Sequence, residues 1–249
     1  MITDISVIIP ARNEEENLKK IIPKIIHCYN RHLREIIIVD DNSTDKTYST
    51  SIFLQKKYPK IKIYRRKAPF GVGLAIRDGI ANLSPYTKYV LFIDSDFIIN
   101  VPDIAQMIQK IEKSDGVTGS RFSKKNSLTN YPFPKFVANR TYHLLAKLLL
   151  GARQNDLTNN FKLYRYGLVK KIEPFLKSND FAINAEIGYY PAVMGAKIAQ
   201  VPVRWQERDK NMGLSKFKIL RVGPSYLSAF LRLARYKFRN EQENLPSEY

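Results

Sequence analysis

Asp94 and Asp96 flank a single serine at the end of the apolar run Tyr89-Val90-Leu91-Phe92-Ile93. Such a run between turn signals reads as a strand buried on both faces, and ligands of open α/β sheets gather beyond the carboxyl ends of those strands. Side chains alternate along an extended backbone, so both carboxylates are expected to face one divalent cation, with Ser95 turned away. Hard oxygen ligands select magnesium or manganese, and phosphate oxygens of a bound diphosphate complete the shell. On its own, Asp-x-Asp is also the composition of an ordinary solvated turn.

Two further segments fall at the same edge. Pro10-Ala11-Arg12-Asn13-Glu14 follows the strand Ile5–Pro10, and Asp40-Asp41-Asn42-Ser43 ends the strand Glu35–Asp40. Strand-end carboxylates can accept hydrogen bonds from a nucleobase or ribose while a metal holds the diphosphate. Gly71-Val72-Gly73 before a helix adds a place for close backbone approach, although it lacks the third glycine of a dinucleotide fingerprint.

The elements that must carry these residues alternate. Helices are expected over Glu14–Tyr29, with Asn13 as cap, over Lys46–Lys57, capped by Ser43 or Thr44, and over Gly73–Leu83 and Ile104–Glu112. Strands at Ile61–Tyr64, Val90–Ile93, Gly116–Ser120 and Lys197–Val203 complete a pattern of βαβ units and a parallel sheet. Past Arg121 the order changes. Ser123–Pro134 is polar and proline-bearing and reads as a mobile loop near the site. Val137, Thr141, Leu144, Leu145 and Leu148 recur at helical spacing, and Leu227, Phe230, Leu231, Ala234 and Phe238 form a second apolar stripe among basic residues. The fold class is therefore α/β, with a first domain over residues 1–218 and a C-terminal amphipathic helix and tail over 219–249.

The 249 residues carry a net charge of +18, from 41 Lys plus Arg against 23 Asp plus Glu. The excess lies in the second half: residues 121–155 hold seven basic residues and no acid, and residues 204–239 hold ten against two. Nucleic acid, an anionic membrane surface or a polyanionic substrate would answer such a charge. Stacking aromatics interleaved with basic residues are not evident, which argues against a nucleic-acid-binding module. The one cysteine, Cys28, excludes an internal disulfide and reads as a packed helix residue. The N-terminus shows no basic segment leading an apolar core, and no stretch reaches the roughly 18 apolar residues of a membrane span. The expectation is a cytoplasmic protein, peripheral on the cytoplasmic face of a membrane.

Seven segments, VIIPARNEEENL, IIIVDDNSTDKT, RKAPFGVGLAIRDG, YVLFIDSDF, TGSRF, NDLTNNFKLYR and VPVRWQERDKNMGLSKF, run in order from residue 5 to about 218. In this order they resemble the family 2 glycosyltransferases of the GT-A fold, in their dolichol-phosphate mannose synthase-like branch. The resemblance implies metal-dependent transfer of a sugar from a nucleotide sugar, GDP-mannose foremost, to a dolichyl or polyprenyl phosphate. It implies donor contacts from Pro10, Ala11, Arg12, Glu14, Asp40, Asp41 and Ser95, and a metal pair in Asp94 and Asp96. Arg121 and Arg140 resemble arginines that hold the lipid phosphate, with Asp156 orienting the acceptor or a neighbouring arginine. Arg208 resembles the residue that closes over the donor diphosphate, with Ser215 and Lys216 beside it. Two departures stand out: Ile98 where relatives often carry Gln or Ser, and Asn159-Asn160-Phe161 where they usually carry Ser-Gly-Phe.

The reaction so implied is an inverting single displacement, in which Mg²⁺ or Mn²⁺ and Arg208 offset charge on the departing nucleoside diphosphate. An ionised acceptor phosphate needs no strong base, and His27, His32 and His143 lie outside the strand-end motifs. A family 2 transferase that extends a glycan is the alternative. Its hydroxyl acceptor would require a base, and Asp156 and Glu186 are the candidates.

Overall fold

A computed structural model describes residues 2–124, 127–206 and 219–243. Arg208, Ser215 and Lys216 lie outside the described residues.

The first half follows the expected alternation: β1 (Ile5–Ala11), α1 (Glu15–Tyr29), β2 (Leu33–Asp40), α2 (Thr47–Lys57), β3 (Ile61–Arg65), α3 (Val72–Ala81), β4 (Tyr89–Phe92), α4 (Ile104–Ile111) and β5 (Gly116–Ser120). The second half adds β6 (Leu128–Thr129), α5 (Phe133–Leu150), β7 (Lys162–Arg165), α6 (Tyr166–Ile172), α7 (Ile183–Val193), β8 (Ile198–Pro202), β9 (Trp205–Gln206) and α8 (Ile219–Glu243). Seven strands make one sheet in the order β3-β2-β1-β4-β7-β5-β8. β1, β2, β3 and β4 are parallel, as are β5 and β8, whereas β7 lies antiparallel between β4 and β5. The sheet is thus mostly parallel but mixed, because β7, unread in the sequence, enters from the opposite direction. The segment read as a mobile loop near the site carries β6, which pairs with β9 in a separate two-stranded sheet.

Alternation along β1 sends Val7 and Ile9 into one core and Ile8 into the other. On the first side α1 buries Leu18, Ile21, Ile22 and Ile25, a stripe at helical spacing, beside Met107 and Ile111 of α4. On the second side Ile76 of α3, Ala146 and Leu150 of α5, Ile187 and Tyr189 of α7 and Phe230 and Leu233 of α8 pack together. The C-terminal helix therefore docks on its own domain. Its other face leaves Leu227, Leu231 and Phe238 exposed, and α5, which packs against α8, leaves Leu144, Leu145 and Leu148 exposed. Cys28 is exposed, not packed, because it falls off the buried stripe of α1.

The expected helix caps do other work. Asn13 adopts a left-handed backbone (φ 54°), and its Oδ1 accepts the Thr44 amide at 2.8 Å. Ser43 Oγ accepts the Asn13 amide at 3.0 Å, and Thr47 Oγ1 accepts the Glu14 amide at 2.7 Å. These side chains tie the loop after β1 to the loop after β2 and leave α1 and α2 without side-chain caps.

Tight packing of α7 on the loop after α5 is a constraint that one methyl group tests. A Cβ on Gly188 would lie 2.0 Å from the Leu157 carbonyl oxygen, a backbone atom that cannot swing aside. Gly188→Ala is expected to cost about 1–3 kcal/mol, seen as a lower urea midpoint with an unchanged denaturant slope. An unchanged midpoint would mean that the contact has slack.

Candidate active site

The order β3-β2-β1-β4 places the reversal of chain direction across the sheet between β1 and β4, where open α/β sheets form their ligand crevice. Pro10 and Ala11 end β1, Asp40 ends β2, and Asp94 and Asp96 follow β4. The register aligns Ala11 with Asp40 and Ile8 with Phe92, so the three loops leave from one edge.

Asp94-Ser95-Asp96 is a turn and not a continuation of the strand. Residues 95–96 are turn, the Phe97 amide bonds the Asp94 carbonyl at 3.1 Å, and Asp96 has helical dihedrals ahead of a short 3₁₀ segment at Phe97–Asp103. The alternation expected of an extended backbone does not apply, and Ser95 is buried. Aspartate's preference for turns outweighs the reach of the apolar run. One oxygen of Asp94 accepts from Asn160 Nδ2 at 2.8 Å. Among the described residues no group of three or more His, Cys, Asp or Glu gathers to hold a metal ion. A two-carboxylate set still fits magnesium or manganese, which keep water and substrate phosphate in their shells.

Around the second loop, Asp41 is fixed from both sides. Its Oδ1 accepts from Arg66 Nη1 and its Oδ2 from the Gly71 amide, each at 2.7 Å. Arg66 bridges onward to Asp78 of α3. Asp40 has no exposed surface, accepts the Ser43 amide at 3.2 Å and stands 3.3 Å from Arg65 Nε. The Arg12 guanidinium lies 3.2 Å from the centre of the Phe70 ring, a cation–π contact between the loop after β1 and the loop before α3. Glu14 is buried at the start of α1.

The second half brings another cluster to β4. Arg121, directly after β5, grips the fully buried Asp156 with Nε on Oδ2 at 2.7 Å and Nη2 on Oδ1 at 2.9 Å, and its amide adds a bond at 3.1 Å. Burial alone would raise the Asp156 pKa, but the charge and hydrogen bonds of Arg121 outweigh it and hold the carboxyl well below the usual range. Arg140 of α5 lies over the Phe122 ring at 3.9 Å and donates to the Asn139 and Asn155 oxygens. Lys162, at the start of β7, is fully buried and donates to the Asn159 carbonyl. Burial pulls its ammonium down to about 7, against the opposing charges of Asp156 and Asp94.

Neither carboxylate proposed as a base for a hydroxyl acceptor is available. Asp156 is committed to Arg121, and fully buried Glu186 accepts from Arg232 and from the Lys177 and Ser178 amides. Asn160, Lys162, Arg66 and Phe70 were not marked as site residues by the sequence. The pair Asn159-Asn160 stands out in the sequence only as a departure from Ser-Gly-Phe, and nothing in the sequence marks Lys162 as buried, since its burial comes with the pairing of β7 between β4 and β5.

This architecture is that of a GT-A glycosyltransferase. The chain belongs to glycosyl transferase family 2, whose model matches residues 6–173. It is 25% identical to polyprenol monophosphomannose synthase of Mycolicibacterium smegmatis over 94% of this chain and 86% of that protein. It is 30% identical to dolichyl-phosphate beta-glucosyltransferase of Dictyostelium discoideum, over 82% of this chain and 67% of that one. Identity to dolichol-phosphate mannosyltransferase of Pyrococcus furiosus is also 30%, over 87% of this chain and 62% of that one. Among solved structures, glucosyl-3-phosphoglycerate synthase from Mycobacterium tuberculosis shares the fold with a TM-score of 0.68 at 18% identity, covering 93% of this chain and 80% of that chain. That protein was solved with Mn²⁺, UDP and glucosyl-3-phosphoglycerate.

His143 of α5 gives the cluster a pH dependence. Its Nε2 accepts the Leu157 amide at 2.9 Å and its Nδ1 faces the Asn139 carbonyl at 2.8 Å, so the ring is held neutral. Burial lowers its pKa to about 4, more than the nearby Asp156 charge raises it. An unfolded histidine titrates near 6.5, so between about 6.5 and 4 the unfolded state binds more protons and stability falls as pH is lowered. Urea unfolding should lose on the order of 2–3 kcal/mol across that window in the wild type, and His143→Gln should flatten the slope. Equal slopes in both proteins would show that His143 titrates normally in the fold.

Proposed function

We propose that this glycosyltransferase moves a hexose from a nucleoside diphosphate sugar to a polyprenyl phosphate at a membrane surface, with GDP-mannose as the foremost donor. The observation that carries the choice of acceptor is the state of the two candidate bases. A sugar hydroxyl needs one, and Asp156 and Glu186 are both saturated by arginine and amide donors. An acceptor phosphate arrives ionised and attacks without one. The names of the relatives agree with this reading.

Each predicted site residue takes the role that the family resemblance implies for it. Pro10, Ala11, Arg12, Glu14, Asp40 and Asp41 line the nucleoside side, with Ser95 in the turn below the diphosphate. Asp94 and Asp96 would hold Mg²⁺ or Mn²⁺, which would neutralise charge on the diphosphate. Asn160 orients Asp94. Arg140 and the remaining donors of Arg121 receive the acceptor phosphate, and Asp156 presents Arg121 in a fixed orientation. Arg208, Ser215 and Lys216, which lie outside the described residues, are assigned to the donor diphosphate by the resemblance alone. One phosphate oxygen of the acceptor attacks the anomeric carbon, and the bond to the diphosphate oxygen breaks with its electron pair retained by the nucleoside diphosphate, which inverts the anomeric centre. The exposed leucines of α5 and α8, flanked by Lys147, Arg235 and Lys237, suit the headgroup region of an anionic membrane. Among the described residues no helix is long and apolar enough to cross one.

The test is to incubate the protein with Mn²⁺, a short polyprenyl phosphate and, separately, GDP-mannose, UDP-glucose and UDP-N-acetylglucosamine, and to weigh the products. A glycosylated lipid phosphate is expected with one donor, and Asp96→Ala should lower its formation by about 100-fold or more. Transfer to a sugar hydroxyl with no lipid product would contradict the proposal and favour glycan extension.

A further inference from the structure

Between α8 and the loop that opens α3 runs a short strap, residues 177–180, whose polar groups are engaged on both sides. On one side Glu186 of α7 receives the Lys177 and Ser178 amides on Oε2, at 2.8 and 2.9 Å. Its Oε1 receives Arg232 Nε of α8 at 3.0 Å, with Arg232 Nη2 donating to the same oxygen and to Ser178 Oγ at 2.8 Å. On the other side the strap meets α3. Arg77 donates to the Ser178 carbonyl at 2.7 Å and to Asn179 Oδ1 at 2.6 Å, and the Gly73 amide donates to the Asn179 carbonyl at 2.9 Å.

The approach is too close for any side chain. A Cβ on Gly73 would stand 2.2 Å from the Ser178 oxygen, and one on Gly71 would stand 2.2 Å from the Asn179 oxygen. The two glycines are therefore required by the strap, a role their sequence spacing alone did not suggest. From Gly71 one more bond, its amide to Asp41 Oδ2 at 2.7 Å, reaches the end of β2.

We propose that Arg232 and Glu186 are positioning residues for donor binding: through the strap they fix Gly71 and Gly73, and with them the carboxylate of Asp41. This deepens the proposed function and rests on its placement of the nucleoside beside Asp41. A buried carboxylate with four donors has one orientation. Each strap amide bound to it is held in register with α8, so the donor loop takes its position from the C-terminal helix. A single strap with hydrogen-bonding partners on both sides is a contiguous physical link, and its coupling is measurable by loosening either side.

The experiment loosens each side in turn in the full chain. Arg232→Met acts on α8, Arg232→Lys keeps the charge without the fork, and Arg77→Met acts at α3, where the helix and core are untouched should Arg232→Met fail to fold. Met107→Ala, a cavity in the other core, controls for general destabilisation. Amide hydrogen exchange at Gly71 and Gly73 and calorimetric affinity for GDP and UDP with Mn²⁺ are read together. Arg232→Met and Arg77→Met are expected to speed exchange at both glycines about tenfold relative to Met107→Ala and to weaken the preferred nucleotide about fivefold, with Arg232→Lys in between. Unchanged exchange in both variants, with nucleotide still bound, would overturn the strap itself. Faster exchange with unchanged nucleotide affinity would overturn the assignment of this loop to the donor, and the positioning role with it.

Discussion

The pairing of Arg121 with Asp156 is the interaction on which the rest of the site hangs. Asp156 has no exposed surface, so its charge survives only because a guanidinium fork and a backbone amide meet it. Breaking such a pair strands a buried charge, at a cost of about 3–5 kcal/mol. The loop it anchors holds Leu157 against His143, Thr158 against Asn139, and Asn160 against Asp94. Arg121, Arg140 and Asp94 are thereby parts of one hydrogen-bonded assembly across β7.

Buried Lys162 belongs to the same assembly. A lysine with no solvent access is costly, and the falling pKa records that cost. It is tolerated because it binds the Asn159 carbonyl while Asp94 and Asp156 supply compensating charge nearby. Cationic character in this part of the fold thus extends inward from the basic surface that the composition made conspicuous.

Much of the first half was legible because its signals are local. Apolar runs ending in Asp or Pro marked β1, β2 and β4, and the stripe Leu18, Ile21, Ile22, Ile25 marked a helix by period alone. The second half was harder for physical reasons. β7 is four residues long, and it carries a buried lysine where a strand core is expected to be apolar, so its pattern resembles no template. Asn13, Ser43 and Thr44 looked like caps because a cap and a loop-to-loop bond use the same side chains. The turn at Asp94 was readable as a site but not in its geometry, since a strand's last residue is set by tertiary pairing. The arginine partners of Asp156 and Glu186 lie 35 and 46 positions away in the chain, a distance that no local pattern encodes.

In the proposed function, an anionic lipid phosphate meets Arg140 beside this assembly while the nucleotide is held at the opposite side of β4. The most direct measurement is the pair of Michaelis constants, for a short polyprenyl phosphate and for the donor sugar nucleotide, in wild type and Arg140→Met. The acceptor constant should rise about tenfold or more, the worth of one charge-assisted hydrogen bond, while the donor constant stays near that of the wild type. A donor constant that rises while the acceptor constant does not would place Arg140 on the wrong substrate and contradict the account.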